Sequence, residues 1–234
     1  MLILQNTKHD EQEESHWLSV SDLMAGLMMV FLFIAIALMR SAFIERDKIK
    51  EVAVAYQDNQ VAIYDALNGE FANNLIEWNA DIDEESLTFT FKSPDVLFKS
   101  GSAELKGQYK ALLDDFFPRY MAVLMPFKKS INEVRIEGHT SSFWGSRTLD
   151  EAYFKNMDLS QQRTRSVLQY IYMLPAVKGE RSWIKSHLAA VGLSSSKLIY
   201  KENGREDRNA SRRVSFRVIT NADIQIKRIL QGSQ

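Results

Sequence analysis

Residues 15–40 read SHWLSVSDLMAGLMMVFLFIAIALMR, and from Leu23 to Met39 they form 17 consecutive uncharged residues. A helix of roughly 17 to 25 apolar residues spans the ~30 Å hydrocarbon core of a bilayer, and extension back toward Trp17 brings this run well into that range. The stretch predicts a transmembrane helix over 16–44, with the rest of the chain organised around a membrane anchor. A secretory signal is the rival. It needs a basic start, an apolar core of about 7 to 15 residues and a small-residue cleavage site. Here Asp10, Glu11, Glu13 and Glu14 precede the run and Arg40 follows it directly, which favours an uncleaved anchor.

Between Ser15 and Met39 the only formally charged side chain is Asp22. With Trp17 at headgroup level, Asp22 lies about 7.5 Å deeper at 1.5 Å per helical residue. An Asp at a helix centre costs about 2.5–3.5 kcal/mol on insertion scales and less near an end. Snorkelling to the interface is one reading of such a group. The other is a buried functional carboxylate, because Ala25 and Gly26 follow at i+3 and i+4, and Ser21 with Ala25 makes a second pair of small residues. Small residues on one face let another helix approach closely. A carboxylate between helices can take up and release a proton, and a proton crossing about 100 mV releases about 2.3 kcal/mol. Lys/Arg counts place Arg40, Arg46, Lys48 and Lys50 after the helix against Lys8 before it, so the positive-inside rule alone puts the C-terminal side in the cytoplasm.

The 234 residues are 45% hydrophobic, enough for one globular core plus an appendage. Net charge is −1 without a long run of like charges, which gives no nucleic-acid surface. The absence of cysteine excludes disulfides, Cys-ligated metal centres and thiol catalysis. No phosphate-binding glycine loop or zinc-protease helix occurs, so no enzyme, no metal site and no cofactor are expected.

Past the anchor, residues 45–85 carry Ile49, Val52, Tyr56, Ile63 and Leu67 at helical spacings, with stop signals near Asn68-Gly69 and Asn79. Either a helical extension paired with a second copy of itself or an amphipathic helix lying on the domain fits this pattern. From 86 to 221 the pattern predicts an α+β domain of β-α-β-α-β order, a mixed sheet covered by helices. Its strands are SLTFTFKS at 86–93, EVRIEG at 133–138 and Arg213 to Thr220. Its helices run from Lys106 to Leu124, from Ser160 to Pro175 and, in a short piece, from Trp183 to Ala190. A tail or short docking helix over 222–234 completes the chain.

Two resemblances follow. WLSVSDLMAGLMMVFLF (17–33) resembles the transmembrane signature of MotB-type stator subunits, in which the ion-carrying Asp follows a Trp by five residues; its serines and its GLM run look closer to the stator-like subunits of Zorya anti-phage systems. Over about 87–220, VLFKSGSAEL (96–105), IEGHT (136–140), NMDLSQQR (156–163), Gly192 and SRRV (211–214) fall in the order of the OmpA-like peptidoglycan-binding domain. These resemblances imply an inner-membrane protein with a cytoplasmic N-terminal tail (1–15) and a periplasmic C-terminal domain, against the local Lys/Arg count. They imply protons as the transported ion, carried by Asp22 with Ser21 beside it, and helix packing through Ala25 and Gly26. They imply a homodimer enclosed by a polytopic partner resembling ZorA or MotA, as a pentamer around a dimer.

For the domain, the resemblance implies peptidoglycan binding by Thr140, Ser141, Asn156, Leu159, Arg163 and Arg213. A guanidinium fork can take the carboxylate of a diaminopimelate side chain bidentately, and Arg163, expected at the start of a helix, is the chief candidate. Where the family has Asp after GHT, this chain has Ser141, and where it has Asn before the paired arginines it has Ser211. Asp150 and Asp158 are the nearby acids that stand in sequence as substitutes for the missing Asp. The functions left in competition are a proton-driven stator subunit, flagellar, Tol-like or anti-phage, and a passive cell-wall tether.

Overall fold

The computed structural model describes residues 4–92, 97–99 and 101–221, the side chains of 4–16, 18, 19, 55 and 56 excepted. The short C-terminal helix expected over 222–234 lies outside the described residues. Two compact units result, one ending at Val52 and one beginning at Ala53.

The first unit is helical. Helix α1 (Leu4–Phe71) contains no proline and only Gly26 and Gly69, so nothing in its sequence interrupts the backbone ladder. Every side chain from Val20 to Ile44 is exposed. By length and composition, the segment beginning at Val20 is the one helix among the described residues able to cross a membrane, with a mean hydropathy of 2.4 over its most apolar window.

In the second unit the last turns of α1 belong to the domain core. Ile63, Leu67 and Phe71, spaced by four, are fully buried. The Gln60 side-chain amide donates to the carbonyls of Glu84 and Glu85 at 3.1 and 2.6 Å. Arg119 closes the helix end: its guanidinium donates to the Glu70 carboxylate at 2.6 Å, to the Glu70 carbonyl at 3.0 Å and to Asn74 Oδ1 at 3.0 Å, and it lies 4.9 Å from the Phe71 ring centre. Of the two arrangements open for this segment, its apolar spacing from Ile63 onward is taken up by packing on the domain. The helix runs through Asn68-Gly69 and stops at Phe71, and Asn79 adopts φ 47° in the turn that follows.

The domain is α+β as expected, with two strands more than the sequence pattern indicated. Strands β1 (Ala80–Asp83) and β2 (Thr88–Lys92) form an antiparallel hairpin. Helix α2 (Gly107–Leu124), β3 (Ile131–His139), helix α3 (Leu149–Met173), helix α4 (Arg181–His187), β4 (Leu188–Gly192), a four-residue helix α5 (Arg208–Ser211) and β5 (Arg213–Thr220) follow. The sheet order is β1-β2-β5-β3-β4, antiparallel throughout except for the parallel β3/β4 pair. The helix expected to reach Ala190 stops at His187, and the next five residues become β4 because they pair with β3. β1, read as linker, is four residues with two acids at a sheet edge, where the alternation signal is short and polar.

Alternation sorts the sheet faces. Phe89, Phe91, Val134, Ile136, Val214, Phe216 and Val218 are buried on the helix side, while Arg217 on the other face is exposed. Phe116 of α2 is the centre of the core, with ring centres 4.7 Å from Phe89, 5.0 Å from Phe91, 5.3 Å from Phe71 and 5.1 Å from Phe216. Helix α2 continues through Pro118.

Helix α3 lies closest to the sheet where two strands present glycine. A Cβ built on Gly138 would stand 2.8 Å from Thr164 Cγ2 and 2.9 Å from the Ser160 carbonyl oxygen, and one on Gly192 would stand 2.7 Å from Ser160 Oγ. One added methyl must push the α3 backbone outward, and overpacking of this kind costs about 1–3 kcal/mol. Gly138→Ala is expected to lower the melting temperature of the detergent-solubilised full chain by roughly 3–10 °C, as followed by circular dichroism.

Candidate functional site

A cavity of about 300 Å³ opens where the end of β3, the α3 helix and the residues before β5 converge; Thr140, Ser141, Asn156, Leu159 and Arg163 all line it. These were widely separated in sequence, and the fold brings them together by three local devices.

The first is the true start of α3. The sequence pattern placed it at Ser160, but the helix begins at Leu149, capped by Thr148. Glu151 N–H donates to Thr148 Oγ1 at 3.3 Å and Thr148 N–H donates to the Glu151 carboxylate at 3.2 Å, a reciprocal capping box. Ser160 is instead a buried mid-helix residue. Its hydroxyl donates to the Met157 carbonyl at 2.9 Å and accepts the Ser194 N–H at 3.2 Å. Asn156, Leu159 and Arg163 thereby occupy one face of a long helix, at i, i+3 and i+7. This corrects the expectation that Arg163 sits at a helix start, since the positive end of a helix acts only over its first turn and Arg163 is fourteen residues in.

The second device seats Arg163. The guanidinium is buried, its carbon 4.8 Å above the Phe98 ring centre, and its Nε donates to the Ser102 carbonyl at 3.0 Å. Phe98 and Leu105 bridge across a turn in which Gly101 takes φ 63°, and this turn delivers both the ring and the carbonyl. A buried guanidinium is costly unless hydrogen-bonded, and the aromatic face and carbonyl offset part of that cost while preserving the positive charge.

The third device holds the loop after β3. Asn156 Nδ2 donates to the Ser141 carbonyl at 3.0 Å and to the Phe143 carbonyl at 3.5 Å. Glu206 takes the Ser142 N–H at 2.9 Å and its hydroxyl at 2.5 Å. Thr140 N–H donates to the Ser194 carbonyl at 2.9 Å, while Thr140 Oγ1 is buried in the cavity wall without a hydrogen-bond partner among the described residues. A buried hydroxyl left unsatisfied costs about 1–3 kcal/mol, a cost that a ligand polar group would relieve.

Arg213 lies elsewhere. Its guanidinium donates to the carbonyls of Lys197 and Ser211, at 3.1 and 3.2 Å, and holds the loop that precedes α5. Arg212 lines the cavity in its place, with Gly101, Phe143, Trp144 and Gly145 as further wall residues absent from the sequence-based set. Neither Asp150 nor Asp158 lines the cavity. On α1, Ser21, Asp22, Ala25 and Gly26 follow one another within two turns and all are exposed. No cluster of His, Cys, Asp or Glu with metal-site geometry occurs among the described residues.

The fold and its cavity define an OmpA-type α+β domain carried by a chain with one apolar membrane-type helix; residues 97–212 match the OmpA family. The chain is 56% identical over 222 residues to the Zorya protein ZorB of Escherichia coli, covering 94% of both chains, and it belongs to that ZorB family. Among solved structures it is similar to a MotB-like protein from Desulfovibrio vulgaris (21% identity, 73% of this chain and 94% of that one, TM-score 0.48). It is also similar to the periplasmic domain of Helicobacter pylori MotB (16% identity, 66% and 90%, TM-score 0.44).

Directly before Thr140, His139 is buried with Nε2 3.5 Å from the Glu137 carboxylate and Nδ1 without a partner among the described residues. Burial pushes the imidazole below its ordinary 6.5, with Arg213 and Lys197 acting in the same direction and Glu137 opposing them. For Glu137, burial works upward, but His139, Arg217 and Arg135 prevail and hold it below 4.5. An imidazole depressed in the folded state protonates first in the unfolded chain, so stability is full above about pH 6.5 and is lost as the pH falls through the folded value. Glu137 adds a further loss below about 4.5, in the same direction. Melting temperatures taken from pH 8 to about pH 5 should fall, and His139→Asn should flatten that fall.

Proposed function

We propose that the chain is the wall-gripping, proton-carrying subunit of a membrane motor complex that serves anti-phage defence. Membership of the ZorB family supports the system to which it is assigned, and the OmpA-type domain supports the wall as its anchor. The observation that carries the grip is the buried Arg163 guanidinium, seated on Phe98 in the wall of a cavity that also holds the unpartnered Thr140 hydroxyl. A stem peptide of peptidoglycan brings a carboxylate to Arg163 as a charge-assisted pair and a polar group to Thr140. Asn156 uses its Nδ2 to hold the loop and presents its amide oxygen to a peptide N–H; Leu159 shapes the apolar wall.

Gripping the wall requires the domain in the periplasm and the N-terminus in the cytoplasm, with α1 crossing the inner membrane between them. Asp22 then takes and releases protons against a polytopic partner of the ZorA or MotA kind, which closes a path that one helix cannot form. Two copies of the chain, enclosed by that partner, convert proton passage into movement while the domains hold fast to the wall.

Arg163→Ala in the detergent-solubilised full chain should cut retention on purified sacculi about tenfold or more, as read by pelleting, with Arg163→Lys recovering only part because Lys offers no planar fork. Retention at the wild-type level by Arg163→Ala would refute the wall contact. Asp22→Asn should leave membrane insertion and sacculus binding intact and abolish protection in a phage-plating assay of cells that also express the polytopic partner. Full protection by that variant would leave a passive tether as the function.

A further inference from the structure

The loop between β3 and α3 supplies half of the cavity wall, with Thr140, Ser141, Phe143, Trp144 and Gly145 in the lining. Its far part is a turn, closed by Arg147 N–H donating to the Trp144 carbonyl at 3.2 Å, in which Gly145 takes φ 54°. Ahead of that turn, no main-chain bond among the described residues holds Ser141 to Phe143. Side chains from two elements hold them instead. Asn156 of α3 donates to the carbonyls of Ser141 and Phe143, at 3.0 and 3.5 Å. Glu206 takes the residue between them, accepting the Ser142 N–H at 2.9 Å on one oxygen and the Ser142 hydroxyl at 2.5 Å on the other.

Glu206 does not line the cavity, and its side chain is only 14% exposed. Its backbone is itself fixed. Tyr200 and Glu206 pair across a hairpin in which Lys201 N–H donates to the Arg205 carbonyl at 2.8 Å and Gly204 takes φ 73°. Asp207 N–H donates to the Ile199 carbonyl at 2.8 Å, and the Asp207 side chain then caps α5. Arg208 lies 4.5 Å from the Phe143 ring centre, so residues 206 and 208 hold consecutive residues of the loop. A carboxylate that accepts both the N–H and the hydroxyl of one residue fixes its position and its orientation together. Ordering a loop on binding subtracts from affinity, so a wall fixed beforehand binds more tightly than one that must order around its ligand.

Resting on the wall-binding reading above, we propose that Glu206 is a positioning residue for wall recognition. From outside the cavity it clamps Ser142 and thereby sets Thr140, Ser141 and Phe143 in the wall before a stem peptide arrives. It acts through geometry and touches no part of the ligand. A neutral side chain of the same shape therefore serves almost as well: in Glu206→Gln the amide oxygen still accepts the Ser142 N–H, and the amide N–H donates to the Ser142 hydroxyl.

The test compares the detergent-solubilised full chain with its Glu206→Ala, Glu206→Gln and Ser142→Ala variants, by retention on purified sacculi and by hydrogen exchange over residues 140–148. Glu206→Ala is expected to weaken retention about fivefold or more and to speed exchange in the loop about tenfold, while circular dichroism shows the domain still folded. Glu206→Gln is expected to stay within about twofold of the unaltered chain in both readouts. Ser142→Ala, which removes one of the two bonds and leaves the N–H, covers the case in which Glu206→Ala fails to fold, and should fall between them. Adding Ser142→Ala to Glu206→Ala should cost nothing further, because the bond that each removes is the same one. Unchanged retention by folded Glu206→Ala would overturn the proposal. So would a loss in Glu206→Gln as large as that in Glu206→Ala, since Glu206 would then act by its charge. Failure of the unaltered chain to be retained on sacculi would instead overturn the wall-binding reading, whatever the exchange rates of the loop.

Discussion

The close approach of α3 to the sheet at Gly138 and Gly192 is the constraint on which the site depends. A side chain at Gly138 would occupy space held by Thr164 and Ser160, and one at Gly192 space held by Gln161 and Ser160. With the helix drawn in, Ser160 bonds the Ser194 backbone, Asn156 reaches the carbonyls of Ser141 and Phe143, and Arg163 comes over Phe98. Moving α3 outward by the width of a methyl group would stretch all of these at once, because they extend from one helix face to three different loops. The cavity is thus a by-product of backbone packing, and its polar residues need only be long enough to cross a gap that the glycines have already narrowed.

The aromatic core supplies the rigidity against which that packing acts. Phe116 joins β2, β5 and the end of α1 through contacts at 4.7–5.3 Å. The turns of α1 from Ile63 to Phe71 are therefore part of the domain, and Arg119 ties their terminal carbonyl to α2. For a domain proposed to hold fast under load, this arrangement has a mechanical consequence. Pulling on the chain at its entry to the domain loads buried side chains and a charge-assisted network before it loads any isolated turn. The cost of extracting three fully buried side chains, roughly 1.5–3 kcal/mol each, sets a threshold that an amphipathic helix merely resting on the surface would lack.

Much of the fold was legible because periodicity reports burial. The apolar side of α2, the Phe89/Phe91 alternation and the Val214/Phe216/Val218 strand were all readable; the set Thr140, Ser141, Asn156, Leu159 and Arg163 came instead from the resemblance to the OmpA-like domain, and it meets at one cavity. Three features were obscured, each for its own reason. Ser160 looked like a helix cap, but the Thr148-to-Glu151 capping box lies twelve residues earlier, and the serine's hydroxyl is satisfied within the helix. LAAVG lacks alternation because β4 is a short strand of small residues paired in parallel with β3, and in isolation it resembles the end of a helix. Of the paired arginines, Arg213 was favoured over Arg212. Strand parity decides otherwise, since residue 212 shares the side of Val214 and Phe216, which faces the helices, and residue 213 faces away.

The same parity brings Arg212 into the cavity wall that Ser141 also lines. A family-type site with an acid beside Arg163 would present a balanced pair of charges to a zwitterion. Here a hydroxyl stands at 141, and Arg212 lines the same wall as Arg163. Two like charges sharing a cavity repel each other, which the protein offsets with carbonyl and amide oxygens behind Arg212 and with an aromatic face and a carbonyl behind Arg163. Arg163 has a structural part as well, since its buried guanidinium packs on Phe98 of the core. The guanidinium proposed to grip the wall is thus one that the fold already holds, by an aromatic face and a carbonyl, so its orientation is set before a ligand arrives and little ordering remains to be lost on binding.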